Sequence, residues 1–305
     1  MSTNVSNRCP RCGNYNRTDS FVCAFCGRRL RSERIENFSI FKRIEEEFIS
    51  PTPWYITILW LFTKPNRAFW SINHKRKGAP GYKILLLNSL IYGLMGLAFF
   101  SHIYIQTIPA FSLGRFFIDL AAFIAFFAFG FMFYFIFGFI LIWFFSKGAN
   151  VAVDFSERLE ARFGEKKEGK EKYSQAEMSP FSIYKGGTLH QQQASKFNMM
   201  LCAFTPYLLI NSIEILIILI GFPYIIFPSL FPFDPNLFNP MFASPTWTVL
   251  HLIDALTIAV WVPILITLAI RELSNSSTFR VLISSLAIGI IFAVFYYFLR
   301  PTFII

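Results

Sequence analysis

NMMLCAFTPYLLINSIEILIILIGF, from Asn198 to Phe222, is almost wholly apolar and long enough to cross a hydrocarbon core of about 30 Å as a helix. It holds one carboxylic acid, Glu214, well inside the apolar run, and Pro206, which removes a backbone donor in its first half. Two comparable spans precede it, Ile84–Ile108 and Phe116–Phe145, and two follow, Thr246–Ile270 and Val281–Leu299. The expected fold class is therefore an all-α polytopic membrane protein with five transmembrane helices. Composition agrees, since 54% of the 305 residues are hydrophobic and only 15% are charged, which excludes an ordinary soluble domain. Phe116–Phe145 carries 13 of the 39 Phe residues and is long enough to tilt. Ser89, Gly93 and Gly96 in the first span, and Ala121, Ala125 and Ala128 in the second, are small residues suited to close helix contact. The first fifty residues are polar and carry no cleavable apolar leader, so the first span is expected to act as the targeting signal.

Lys and Arg placement sets the expected orientation. Of 28 basic residues, only Arg115 and Arg300 fall on the side opposite the N-terminus. The N-terminus is then cytosolic and the C-terminus lies on the far side. His74, Lys75, Arg76 and Lys77 form a positive cluster just before the first span, which attracts anionic lipid headgroups or simply signals orientation. The basic N-terminal region also raises nucleic acid as a partner; lipid is the nearer polyanion, and no nucleic-acid binding is expected. Between the second and third spans, 147–185 is a charged cytosolic insertion with a short helix near Asp154–Phe163. The loop after the third span holds Pro223, Pro228, Pro232, Pro235, Pro240 and Pro245, a density expected to bar regular structure.

Near the N-terminus, Cys9-Pro-Arg-Cys12-Gly13 and Cys23-Ala-Phe-Cys26-Gly27 repeat one C-x-x-C-G turn. Two residues between thiolates let one tight turn aim both sulfurs at one ion, and two such turns supply a tetrahedron of soft ligands. The expected cofactor is one structural Zn2+ held by Cys9, Cys12, Cys23 and Cys26, with no open position for catalysis. Two disulfides or a redox CxxC pair are the competing reading, which the doubled knuckle and a reducing cytosol disfavour. Residues 9–27 resemble the small zinc-ribbon family. The expected domains are a zinc ribbon over 1–30, amphipathic and interfacial helices over 31–83, and the membrane domain over 84–300. Within 31–83, Ile35, Phe38, Phe41, Ile44 and Phe48 predict a helix over Arg34–Phe48. PTPWYITILWLF (Pro51–Phe62) reads as an interfacial segment, and Pro65 is placed to open a helix.

Residues 62–300 resemble the Yip1-domain family of five-span membrane proteins. Pro65, Phe69 and Ile72 ahead of the first span carry the resemblance. So do Gly186-Gly187, the Phe204–Tyr207 element opening the third span, Trp261 in the fourth, and Arg271-Glu272-Leu273 after it. The long charged insertion and the four-cysteine region depart from that family's common layout. The resemblance implies a non-enzymatic membrane scaffold or adaptor linked to vesicle trafficking, with small GTPases or other membrane proteins as partners and homo- or hetero-oligomers allowed. It places the chain in the ER or Golgi of a eukaryote, or in the plasma membrane of a prokaryote, where the partner is undefined. No Ser-His-Asp set, phosphate loop or intramembrane HExxH appears, so no enzymatic activity is expected.

Five ionisable groups inside the apolar spans fall at similar depth in the far half of the bilayer: His102, Asp119, Glu214, His251 and Asp254. An ionisable group there normally faces protein or water. The more economical reading is hydrogen-bonding glue between helices. The alternative is a small transporter, channel or lipid-moving protein whose polar cluster binds a cation, a lipid headgroup or a proton.

Overall fold

A computed structural model describes residues 8–23, 26–44, 52–75, 79–109, 111–163, 196–228 and 238–299. Of the sequence features above, Arg76, Lys77, most of the charged insertion, Gly186-Gly187, Pro232 and Pro235 lie outside the described residues. The chain is mostly helical, and five helices are long and apolar enough to cross a membrane: Gly81–Ser101, Leu113–Val153, Lys196–Gly221, Pro245–Ser274 and Thr278–Phe298. It forms two compact units, one drawn from 1–80, 144–200 and 264–285, the other from 81–143, 201–263 and 286–305.

In the second unit, the stretch that opens the sequence reading shows why it is both apolar and polar. Phe204, Tyr207, Asn211, Glu214 and Ile218 are buried, at steps of three and four residues, so they form one inward stripe. Ile213, Leu216 and Ile220 on the other face are exposed, as lipid-facing positions are. Asn211 and Glu214 are thus on the packed side of the helix.

The first span ends at Ser101, short of the expected Ile108. Ile103–Ile105 is instead a strand, β1, pairing in parallel with β2, Ile225–Phe227, which follows the third span. The Ile225 amide donates to the His102 carbonyl and the Gln106 amide to that of Phe227, both at 2.9 Å. Backbone groups leaving two helices thereby satisfy each other. Ile103, Ile105, Ile225 and Phe227 turn inward and Tyr104 and Ile226 outward, the period-two alternation of a strand. The proline-rich loop is therefore more regular than expected. Between Pro223 and Pro228 three residues are free to pair, and Asn239–Phe242 makes one helical turn.

Helix contact in this unit is ring into notch. A Cβ at Gly96 would lie 2.4 Å from Phe126 Cγ, one at Gly93 2.8 Å from the Phe123 ring, and one at Gly130 2.8 Å from Tyr92. Only a residue without Cβ leaves room for these rings. Ala121, Ala125 and Ala128 do not serve as the second contact face; they are exposed, and the second span offers large rings to the glycines of the first. In the fourth span, Thr257–Trp261 is wound as a π turn just ahead of Pro263. The wider turn relieves the clash of the proline ring and absorbs its missing N–H. It also lets the fifth span come close, since a Cβ at Gly289 would meet Pro263 Cγ at 2.4 Å and the Ile258 carbonyl at 2.7 Å.

The first unit holds the N-terminal region. Helices Trp54–Thr63 and Pro65–Lys75 form as expected, the second opening on Pro65. The expected helix over Arg34–Phe48 is not found. Only Arg34–Asn37 is helical, as one 3-10 turn, while Phe38 is 68% and Ile40 44% exposed; 45–48 lie outside the described residues. Glu36 explains the break. It turns inward to meet Arg29 and Arg43, and the chain follows its side chain rather than an apolar stripe.

Candidate functional site

The two C-x-x-C-G turns fold alike. In each, the amide of the Gly donates to the carbonyl of the first Cys, Gly13 to Cys9 at 2.9 Å and Gly27 to Cys23 at 3.1 Å. Both glycines are left-handed, φ 72° and 70°, where a side chain would be strained. Each turn closes a small antiparallel bridge, Arg8 with Tyr15 and Val22 with Arg29. The result brings Cys9, Cys12, Cys23 and Cys26 together with all four sulfurs within 4.8 Å of one another. Cys9 and Cys26 Sγ are 3.5 Å apart, and Cys12 and Cys23 Sγ 3.6 Å. Four thiolates about 2.3 Å from one tetrahedral zinc stand about 3.8 Å apart, so the cluster fits such an ion and is too wide for S–S bonds. The Asn16 amide donates toward Cys23 Sγ at 3.4 Å, an outer contact of the kind that steadies a thiolate ligand. Burial raises the Cys9 thiol, but hydrogen bonds from the backbone of Cys12 and Arg11 and from neighbouring thiols outweigh it and bring it down to about 6. Burial and the same thiol neighbours push Cys26 up to about 12. Cys9 thus ionises well before Cys26, an imbalance that a divalent cation would remove by taking all four as thiolates.

This module is bound to the turn between the last two spans. The Val22 amide donates to Asn275 Oδ1 at 3.0 Å, and Asn275 Nδ2 donates back to the Val22 carbonyl at 2.6 Å. Asn275 adopts φ 51°, a left-handed setting that asparagine tolerates and that aims its amide at the module. Glu33 receives the Phe279 amide at 3.1 Å and the Ser277 hydroxyl, capping the start of the fifth span with a negative charge. Glu36, with no exposed side-chain surface, is paired to Arg43 at 2.6 Å and to Arg29. Arg43 in turn donates to the Ser276 carbonyl and reaches Thr278 Oγ1 at 3.5 Å. Asp19 pairs with Arg158 on the helix Phe155–Phe163. Beside the knuckles lies a cleft of about 690 Å3 lined by Arg11, Arg28, Arg29 and Arg31. Arg29 is committed to Glu36, whereas no carboxylate pairs with Arg11, Arg28 or Arg31 among the described residues.

The ionisable groups of the spans divide into separate roles. Asp119 lies 3.0 Å from Arg115, one turn away, and Arg115 donates to the Phe100 and Ile103 carbonyls at 2.6 and 2.7 Å. That pair closes the end of the first span. His102, 1% exposed, sits beyond the helix end with its ring 4.9 Å from that of Tyr224. His251 is buried between Trp247, at 5.2 Å, and Tyr296, at 6.4 Å. Glu214 and Asp254 line one cavity of about 560 Å3 within the second unit. Asp254 accepts from the Tyr296 hydroxyl at 2.7 Å, and on the same cavity Asn211 donates to the Tyr134 hydroxyl at 2.7 Å.

Sequence reading named the two carboxylates but not Tyr134, Asn211 or Tyr296. Asn211 was findable, being one turn before Glu214 on the same face; the two tyrosines carry no signal in a chain so rich in rings. Of the basic cluster, His74 and Lys75 end the helix Pro65–Lys75, and the rest lies outside the described residues. Comparison with protein families, curated proteins and solved structures finds no match to this chain.

Proposed function

We propose that the chain is a non-enzymatic membrane scaffold of Yip1 type whose metal-stapled, zinc-ribbon-like N-terminal module recruits acidic cytosolic partners to the bilayer. The observation that carries this reading is the docking of the module: it is hydrogen-bonded to the turn between the last two spans, and its arginine cleft is therefore held at a fixed place on the membrane protein. A flexible tether would need none of these bonds. Three guanidiniums on one small module suit carboxylate- or phosphate-rich surfaces, which arginine grips by paired donors. By resemblance, small GTPases and other membrane proteins are the partner classes.

The test reverses charge without touching ligands. Arg28→Glu with Arg31→Glu is expected to lower recovery of crosslinked partner from native membranes by about tenfold, because like charges now face each other, while one metal per chain is retained. Unchanged recovery from a metal-loaded double variant would overturn the adaptor reading. The reading also fixes sidedness. Phe111→Cys, fully exposed between the first two spans, should be labelled in intact cells by an impermeant thiol reagent, and Glu157→Cys only after the membrane is opened. Labelling of both from one side, read by peptide mass spectrometry, would refute the five-span arrangement.

A second reading, transport or movement of a small amphiphile, is favoured by one observation: Glu214 and Asp254 line the same cavity.

A further inference from the structure

The cavity of the second unit combines features that glue between helices does not need. It has about 560 Å3 of space, inside the range of roughly 300–1,000 Å3 common for small-molecule sites. Helices packed only for mutual contact leave few voids larger than a water molecule. Its wall is dominated by rings, Tyr92, Phe126, Phe133 and Trp247 among them, and it carries two hydrogen-bonded polar pairs, Asn211 with Tyr134 and Asp254 with Tyr296. Two carboxylates line it, and no Lys, Arg or His does among the described residues. Asp254 accepts a hydrogen bond from the Tyr296 hydroxyl. Glu214 is 4% exposed and lies on the inward stripe with Asn211, whose amide is fixed by Tyr134. The buried His251, one turn before Asp254, packs against Trp247 and Tyr296 of the same wall.

We infer that this cavity is a binding site for a monovalent organic cation with an apolar body. The carboxylates of Glu214 and Asp254 offset the ligand's charge, and the ring wall accepts both its apolar surface and, through ring faces, its cationic centre. A small hydrated metal ion would leave most of the apolar wall unfilled, and an anion would meet two carboxylates. An ammonium headgroup of a membrane lipid and a free hydrophobic amine present the same chemistry to these residues.

The test uses purified full-length protein in a non-ionic detergent and two probes of one shape and opposite charge, tetraphenylphosphonium and tetraphenylborate. Tetraphenylphosphonium is expected to bind at one saturable site per chain, and tetraphenylborate not to bind saturably. Glu214→Gln and Asp254→Asn are each expected to weaken the cation by about tenfold or more, with elution and melting unchanged. Where either variant fails to fold, the wild-type protein answers instead: tetraphenylphosphonium should shield Glu214 and Asp254 from a hydrophobic carbodiimide, read by mass spectrometry, and tetraphenylborate should not. Equal binding of the two probes, wild-type affinity in both folded variants, or displacement by Na+ at constant ionic strength would each overturn the inference. Nanodiscs separate the sources. Competition by phosphatidylcholine over phosphatidylglycerol supports a lipid headgroup as the cation, and its lack supports a free amine. The cavity belongs to the second unit and the arginine cleft to the first, and Arg28→Glu with Arg31→Glu removes any binding of tetraphenylborate to that cleft, so the adaptor reading stands or falls separately.

Discussion

Purified wild-type protein is expected to carry one equivalent of zinc, and Cys12→Ser in the full-length protein to abolish it and with it the protection of residues 8–44 against hydrogen exchange. The physical ground is the size of the ion's contribution. Among the described residues of 8–30 only Cys9, Ser20 and Cys23 are buried, so these residues form no apolar core that would hold the two knuckles together. A structural zinc in such a small fold contributes about 10–16 kcal/mol of apparent binding free energy at neutral pH, more than the whole stability of an ordinary domain. A serine hydroxyl does not replace a thiolate toward a soft ion. The five spans should remain, because their contacts with one another are independent of the cluster. Metal analysis of reduced wild-type protein decides the matter. A chain without zinc, or a Cys12→Ser protein with an unchanged exchange pattern, would show that the cysteines serve another end. Chelation of the wild type should reproduce the variant, and zinc should reverse it.

Glu36→Ala is the second large effect. Its carboxylate has no exposed surface and stands between Arg29 and Arg43, and Arg43 is itself 5% exposed. Removing the acid leaves a buried guanidinium without its counter-charge, a loss of about 3–5 kcal/mol. Because Arg43 also donates to the Ser276 carbonyl, the damage should appear at the attachment between the module and the turn 275–279, as lost exchange protection there with zinc still bound. The pair Glu36→Leu with Arg43→Leu should recover most of that loss, since apolar residues of similar volume often replace a buried ion pair at little cost. A single Glu36→Ala protein that keeps full protection would mean that the ion pair contributes nothing to docking.

The parts of this fold that were legible in the sequence are those set by local chemistry. Apolar length gave the five spans, to within a few residues at most ends. The C-x-x-C-G repeat gave the four sulfurs, because turn geometry is fixed within five residues. Pro65 gave a helix start. What was not legible depends on pairs far apart in the chain. Ile103–Ile105 looks like more of an apolar helix until its partner Ile225–Phe227 is known. Arg34–Phe48 has a helical pattern of apolar residues, yet Glu36 is claimed by two arginines, one of which is anchored on Ser276. For the cavity, depth along each span brought Glu214 and Asp254 to the same level, but depth carries no angle. His102 and Asp119 share that level and are turned to other tasks, one beside Tyr224 and the other on Arg115.

The grip of Asn275 on Val22 has a meaning for the order in which the protein is made. Residues 22, 33, 36 and 43 leave the ribosome well before the residues that receive them, 275 to 279. Contacts of such separation form late, after the intervening loop has closed. Throughout synthesis the N-terminal segment has no seat. Its buried acid and arginine wait in water until the fifth span has been delivered. The seated module therefore reports that the turn ahead of the fifth span has reached its place, and a chain interrupted before that turn would leave the knuckles unseated.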